Sequence, residues 1–314
     1  MLLPLSAFLF MAAASAGEAR VELPIRLVQE PGRAPRYAVT IMINDKPVEV
    51  ALDTGSVGLR VIAPSLPDGA RDTGRTVTIG FNSGVMLEGA AVQLRVKFGD
   101  VPAQKVLAQR IDRADCRPGV PRCEATGVAL SDYRIMSDGK PGSGFVGILG
   151  IGLRPEALGH PLEQSGIDRW IVQLPRNAGE TGRLILNPAE PETAGYRYVP
   201  FLPGRNEVAG CLVTPAKRLC APAMVDSGAP GITLFGASDD DVPEPATEAS
   251  LQLGDGADAP TMPITVGQRD QGASIRARPR RPDAPTSLSF GIAPYLRWSI
   301  LYDARGRRLG VLDR

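Results

Sequence analysis

With 314 residues, the chain is long enough for one large domain or two domains of ordinary size, each with its own hydrophobic core. The 35 Lys and Arg residues nearly balance the 34 Asp and Glu residues, which argues against nucleic acid or an anionic membrane as a partner. The single histidine, His160, cannot form a His-rich metal site, so we expect no metal and no cofactor.

The first 16 residues, MLLPLSAFLFMAAASA, are apolar almost throughout and end in the small-residue pattern of a signal-peptidase site. The segment is too short to span a membrane comfortably, and soluble-looking sequence follows it. We therefore predict a secretory signal peptide at 1–16, with a mature protein in the periplasm or the external medium. Because the segment has no Lys or Arg, an uncleaved anchor is the alternative.

Short segments rich in β-branched residues follow, separated by turn sequences such as NDKP and DARGRR. They lie at 37–43, 48–52, 75–81, 91–98, 182–186 and 299–303. This spacing predicts an all-β protein with hairpins. A short helix is predicted at 160–174. The basic run RARPRRP at 276–282 predicts a solvated loop, with a binding patch as the alternative.

The four cysteines form two local pairs, Cys116 with Cys123 and Cys211 with Cys220. Neither spacing matches a CxxC zinc or redox motif. Disulfides are therefore expected if the chain is exported to an oxidising compartment. Four cysteines allow three pairings, of which the local one fits short loops best.

Two stretches share one unusual pattern: VEVALDTGSVGLRV at 48–61 and APAMVDSGAPGITLF at 221–235. In each, an apolar strand-like run meets Asp, a small hydroxyl residue and Gly, and then resumes. An ionised Asp is costly at such a position unless it has partners, and Asp is a poor strand former. The repetition therefore suggests a duplicated unit in which Asp53 and Asp226 meet.

Each motif is followed by an apolar segment that contains glycine, GFVGILGIG at 144–152 and SLSFGIAPYLRWSILYD at 287–303. Glycine allows such a segment to run directly beneath the loop that presents the Asp. One Asp-Thr/Ser-Gly motif alone is a weak signal. Two motifs with both supporting segments in the same order are a strong one.

Together these segments resemble the pepsin-like aspartic proteases, over nearly all of the mature chain. ALDTGSVGLRV and MVDSGAP are similar to the two active-site loops of that family, and FVGILGIG and FGIAPYLRWSILYDARGRRLGVL to its supporting and C-terminal segments. The resemblance implies a bilobal all-β fold, with an N-terminal lobe at 17–188, a C-terminal lobe at 189–314 and a cleft between them. Cys211 and Cys220 lie where pepsins often carry a short disulfide loop.

The resemblance also implies that Asp53 and Asp226 are the catalytic carboxylates. Two close carboxylates share one proton, so the ionised member can deprotonate water while the protonated member donates to the peptide carbonyl. The hydroxyls of Thr54 and Ser227 would hydrogen-bond across to the opposite loop, and Ser56 would donate to Asp53. The expected supporting residues are Thr54, Gly55, Ser56, Ser227 and Gly228.

The segment IGFNSGVMLEG at 79–89 has the position and glycine content of the flap hairpin that covers substrate in this family. Its expected flap residues are Phe81, Asn82, Ser83 and Gly84. Three positions depart from the family pattern. Phe81 stands where Tyr is usual, Ala229 where a hydroxyl residue donates to the second Asp, and Arg60 where Trp is frequent.

The sequence therefore predicts an exported, monomeric aspartic endopeptidase that cleaves extended polypeptides. The short stretch between residue 16 and Asp53 leaves no room for a prosegment, which favours a bacterial type. The alternative is a non-catalytic pepsin-fold protein that binds a peptide or protein in the same cleft. Both Asp residues and both adjacent hydroxyls favour the enzyme, whereas Phe81, Ala229 and Arg60 keep the alternative open.

Overall fold

The structure is a computed structural model that describes residues 19–29, 33–138, 140, 142–279 and 285–314. The predicted signal peptide at 1–16 lies outside the described residues. Nearly all regular structure within the described ranges is β-strand, which confirms the all-β prediction.

The described strands number twenty and are joined by tight turns and two short helices. In chain order the strands are β1 (Val21–Val28), β2 (Arg36–Ile43), β3 (Lys46–Asp53), β4 (Val57–Ile62), β5 (Arg71–Gly80), β6 (Val85–Lys97), β7 (Gln104–Cys116), β8 (Gly147–Ile151), β9 (Arg169–Gln173), β10 (Gly182–Leu186), β11 (Arg197–Pro200), β12 (Val208–Val213), β13 (Arg218–Val225), β14 (Ile232–Phe235), β15 (Glu248–Leu253), β16 (Thr261–Thr265), β17 (Ile275–Arg278), β18 (Ser287–Gly291), β19 (Trp298–Asp303) and β20 (Arg308–Asp313). The helices are α1 (Glu190–Thr193) and α2 (Ala293–Arg297).

The described strands form two sheets. The larger has thirteen strands, β1 to β11 with β19 and β20, and the smaller has seven, β12 to β18. Strand β19 pairs with β9 in antiparallel fashion, so the C-terminal strands complete the sheet begun by the N-terminal half. The main hydrophobic core includes buried residues from both sheets, such as Trp170, Tyr302, Leu251 and Phe290.

One arrangement of four strands occurs twice. Strand β3 pairs in parallel with β8, β8 pairs in antiparallel fashion with β4, and β4 pairs in parallel with β7. In the smaller sheet β13, β18, β14 and β17 repeat the same order and the same directions. One Asp motif lies where β3 leads into β4, and the other lies where β13 leads into β14, so the sequence duplication corresponds to a structural one.

Glycines let β8 and β18, the last strands of the two units in chain order, pass close to the Asp motifs. Gly150 of β8 pairs with Asp53, and a Cβ at Gly150 would lie 2.8 Å from the Ser56 hydroxyl oxygen. Gly291 of β18 pairs with Val225, has a φ of 55° and leaves room for the Gly231 carbonyl, which a Cβ would approach to 2.4 Å. A larger residue at either position would push the loop away from its strand.

The predicted helix at 160–174 is wrong. A 3-10 turn occupies Glu163–Ser165, and Arg169–Gln173 forms β9, a central strand of the larger sheet. The run Trp170–Val172 is fully buried and pairs on both sides, which favours the aromatic and β-branched residues it contains. The predicted loop at 276–282 is also wrong over 276–278, which belong to β17, and 280–282 lie outside the described residues.

Both local disulfides are present, Cys116–Cys123 and Cys211–Cys220, with Cα–Cα distances of 5.6 and 4.1 Å. The second bridge joins directly opposed residues of the β12–β13 hairpin. The local pairing prediction is therefore confirmed, and two disulfides favour folding in an oxidising compartment outside the cytoplasm. In the described part of the chain, no helix is long and apolar enough to cross a membrane.

Candidate active site

The two Asp motifs face one another at the base of a cleft of about 1040 Å³. Asp53 ends β3 and is 4% exposed, and Asp226 directly follows β13. A Cβ at Gly55 would lie 2.4 Å from the carboxyl carbon of Asp226, and one at Gly228 would lie 2.7 Å from Oδ1 of Asp53. Each carboxyl group therefore occupies the space that the missing side chain of the opposite glycine leaves.

Reciprocal hydrogen bonds lock the two loops together. The backbone N–H of Thr54 donates to Oγ of Ser227 at 3.0 Å, and the N–H of Ser227 donates to Oγ1 of Thr54 at 3.0 Å. The hydroxyls also donate to backbone carbonyls of the opposite strand, Thr54 to Val225 at 3.1 Å and Ser227 to Leu52 at 2.8 Å. This is the cross-bonding expected for the two hydroxyl residues, and it fixes the two loops against each other.

The donors to the two carboxylates differ in number. Asp53 accepts from the Gly55 N–H at 2.8 Å and from the Ser56 hydroxyl at 2.5 Å. Asp226 accepts from the Gly228 N–H at 2.8 Å, but Ala229 has no hydroxyl to match that of Ser56. Because hydrogen bonds stabilise the ionised form, this difference favours negative charge on Asp53.

The pKa of Asp226 is raised well above its usual range, first by burial and then by the negative charge of Asp53. The Gly228 N–H and the positive charge of Arg36 oppose this shift. The shared proton of the pair is therefore expected on Asp226 and the negative charge on Asp53. This distribution agrees with the extra hydroxyl donor at Asp53.

Sequence reasoning missed two tyrosines beneath the first loop. The Tyr295 hydroxyl lies 2.7 Å from Oγ1 of Thr54 and 2.7 Å from the Tyr302 hydroxyl. Burial raises the pKa of both phenols, so they stay protonated and can donate along the chain toward Thr54. The sequence pattern of 287–303 predicts a segment that supports the second Asp loop, but nothing in it distinguishes the two tyrosines from their neighbours.

Asn206 is a second residue that the sequence did not reveal. Its Nδ2 donates to the Thr54 carbonyl at 2.7 Å, and its Oδ1 accepts from the Leu153 N–H at 2.6 Å. The side chain therefore ties the first Asp loop to the segment that follows β8. Gly152 makes room for it, since a Cβ there would lie 2.4 Å from Nδ2.

The predicted flap is a hairpin made of β5, a turn at 81–84 and β6. Phe81, Asn82 and Ser83 line the cleft, whereas Gly84 is buried and does not. Phe81 is half-buried and packs against an apolar cluster that includes Ile79 and Val85. The Asn82 carbonyl accepts a hydrogen bond from Nη1 of Arg278, so the turn contacts the opposite wall of the cleft.

The first disulfide loop braces this flap, a contact that sequence reasoning also missed. The Arg117 N–H donates to the Gly84 carbonyl at 2.8 Å, and a Cβ at Gly84 would lie 2.9 Å from Cγ1 of Val120. Cys123 itself lines the cleft. The bridge therefore anchors a loop that packs on the base of the flap turn.

Arg60 and His160, which the sequence analysis discusses, lie in the interior rather than in the cleft. Arg60 is fully buried, donates to the Val57 carbonyl at 2.7 Å and has a pKa that burial lowers to about 10. His160 is buried 4.7 Å from the Trp170 ring, and burial lowers its pKa to about 4. The imidazole is therefore neutral near pH 7 and serves in packing.

No protein-family model matches the chain, and no curated protein shows a significant match. Among the described residues, no group of three or more His, Cys, Asp or Glu side chains could hold a metal ion.

Proposed function

We propose that the protein is a pepsin-like aspartic endopeptidase that hydrolyses peptide bonds in extended polypeptides. The observation that carries this proposal is the pair of Asp loops, which are cross-bonded through Thr54 and Ser227 at the base of a cleft. In the proposed bilobal fold, the lobes at 17–188 and 189–314 each supply one loop. The repeated four-strand unit supports this division.

The proposed reaction uses one proton on two carboxylates. Ionised Asp53 accepts a proton from a water molecule between the two groups, and the water oxygen attacks the peptide carbonyl carbon. Protonated Asp226 donates its proton to the carbonyl oxygen, which gives a neutral tetrahedral intermediate. Asp53 then donates its proton to the amide nitrogen, and Asp226 accepts a proton from a hydroxyl of the intermediate as the C–N bond breaks. Two peptides are released, and the pair again has the proton on Asp226.

The cleft suits an extended, partly apolar substrate. Apolar side chains of the flap strands and of other segments form one wall of the cleft: Ile79, Val85, Leu87, Tyr133, Ile135 and Ile148. An extended peptide would bind through its main-chain groups, with alternate side chains directed to opposite walls. The two disulfides support a location outside the cytoplasm, which we propose to be the periplasm or the external medium.

Digestion of an unfolded polypeptide tests the proposal. We expect the chain to cleave reduced and alkylated serum albumin between about pH 3 and about pH 8, with a bell-shaped rate profile. A statine-containing peptide, which mimics the tetrahedral intermediate, should inhibit cleavage because its hydroxyl lies between the carboxylates. Cleavage that persists with saturating statine peptide would contradict a two-carboxylate mechanism. Statine binding without cleavage at any pH would instead support the non-catalytic peptide-binding alternative.

Restoring a hydroxyl beside the second carboxylate should shift the pH profile. In Ala229→Thr the added hydroxyl can donate to ionised Asp226, which lowers the raised pKa of that group. The singly protonated pair then loses its proton at lower pH, so the alkaline limb of kcat/KM should move down by about 0.5–1 pH unit. Ala216→Thr, in an exposed turn of the same sheet, is the control. An unchanged or upward-shifted limb in folded Ala229→Thr would show that position 229 does not influence the pair.

A further inference from the structure

The wall of the cleft opposite the flap carries two arginines on one strand face. Arg276 and Arg278 are two residues apart on β17, so their side chains leave the same face of the strand. In the parallel register of β17 with β14 they pair with Thr233 and Phe235. All four residues line the cleft that contains Asp53 and Asp226.

Arg36, a neighbouring arginine in the cleft, forms an ion pair, whereas Arg276 and Arg278 have only neutral hydrogen-bond partners among the residues that the structure describes. Arg36 donates to the Gly228 carbonyl at 3.1 Å and forms an ion pair with Asp138 at 2.8 Å. Arg278 donates to the Asn82 carbonyl of the flap turn. Arg276 donates through Nε to Oγ1 of Thr233 at 3.2 Å, and no carboxylate of the described residues forms an ion pair with it.

The Thr233 contact orients the Arg276 guanidinium and leaves both terminal nitrogens free for a ligand. Thr233 is 3% exposed and therefore a fixed acceptor, whereas Arg276 is exposed to the cleft. Burial, and next the positive charges of Arg278 and Arg36, lower the pKa of Arg276. The guanidinium thus lies in a region of positive potential that attracts an anion.

No acidic side chain among the described residues that line the cleft forms an ion pair with Arg276 or Arg278, and this includes Asp53, which carries the negative charge of the proposed pair. Asp138 is paired with Arg36, and the pKa of Glu124 is raised by burial and by the charge of Asp138. Glu207 lies 3.7 Å from Arg205 in an ion pair. Asp226 holds the shared proton of the catalytic pair, as argued above.

We propose that Arg276 binds a substrate carboxylate, so that the protein selects polypeptides with Asp or Glu near the bond to be cleaved. The two free terminal nitrogens of a guanidinium match the two oxygens of a carboxylate. Basic substrate side chains are disfavoured at the same place, because Arg276 and Arg278 would repel them. This inference rests on the proposed function, because it treats the cleft as a peptide-binding site.

Binding of matched statine peptides tests the inference without requiring turnover. The probes are pairs of peptides that differ by Glu or Gln at one position, taken in turn on each side of the statine unit. At one or more positions, the wild-type chain should bind the Glu peptide about fivefold to tenfold more tightly, a range that reflects an ion pair open to solvent. Arg276→Gln should reduce that ratio to about one, whereas Arg269→Gln, an exposed arginine outside the cleft lining, should retain it.

Several results would overturn the inference: equal binding of every pair, a Glu preference that survives in Arg276→Gln, or no binding of any peptide to the folded wild-type chain. Thermal unfolding of each variant controls for folding.

Cleavable versions of the same peptides separate the two proposals. Cleavage without Glu preference refutes the role of Arg276 and supports the protease. Glu-selective binding without cleavage supports the role of Arg276 and refutes the protease.

Discussion

Asp53→Asn and Asp226→Asn are each expected to lower kcat/KM by about a thousandfold or more. The double variant should be about as active as the less active of the two single variants. The effects are not additive because the two groups act as one proton-sharing unit. Asn has the shape of Asp and can still accept from the Gly55 or Gly228 N–H. It can neither deprotonate water nor donate an acidic proton.

Steady-state cleavage of a fluorogenic peptide measures these losses, and the unfolding temperature shows whether the loops remain folded. Asp255→Asn, in an exposed turn outside the cleft lining, is the matched control and should keep full activity. If either active-site variant is folded and retains most of the wild-type kcat/KM, the pair is not the catalytic unit.

Gly55→Ala should strongly reduce activity although it adds only one carbon atom. The new Cβ would lie 2.4 Å from the carboxyl carbon and Oδ1 of Asp226, well inside van der Waals contact. Either the carboxyl group or the loop must move by roughly an ångström, and displacements of that size cost about a hundredfold in rate. We therefore expect kcat/KM to fall by about a hundredfold, with the sheets intact.

The control for this variant is Gly256→Ala, where a Cβ meets no atom within 4 Å. It should have wild-type kcat/KM and an almost unchanged unfolding temperature. Activity of Gly55→Ala within twofold of wild type would mean that the two loops are further apart than described, and the proton-sharing pair would lose its geometric basis.

The features that could be predicted from sequence are those with a local pattern. Alternating or β-branched runs predict strands such as β2, β3, β10 and β19 to within two residues at each end. The repeated Asp motif predicted the contact between Asp53 and Asp226 because the sequence itself is duplicated. The disulfide pairing could be predicted because the cysteines of each pair are close in the sequence.

The features that escaped prediction depend on contacts between distant parts of the chain. Strand β9 is a short apolar run, and such a run has no periodicity that distinguishes a strand from a helix. It forms a strand because it pairs with β10 and β19. Asn206 and Tyr295 contact Thr54 across sequence separations of 152 and 241 residues. The arginines of β17 were interpreted from their charge and the adjacent prolines, which carry no information on the register with β14.

The duplicated unit has a consequence for symmetry. If each unit were a separate subunit of a two-fold homodimer, both loops would carry the same residues and the two carboxylates would be equivalent. Covalent linkage removes that constraint, and the two halves differ, with Ser56 on one side and Ala229 on the other. In the proposed mechanism each acid can therefore have a permanent, different task, which identical subunits could achieve only by breaking symmetry when a ligand binds.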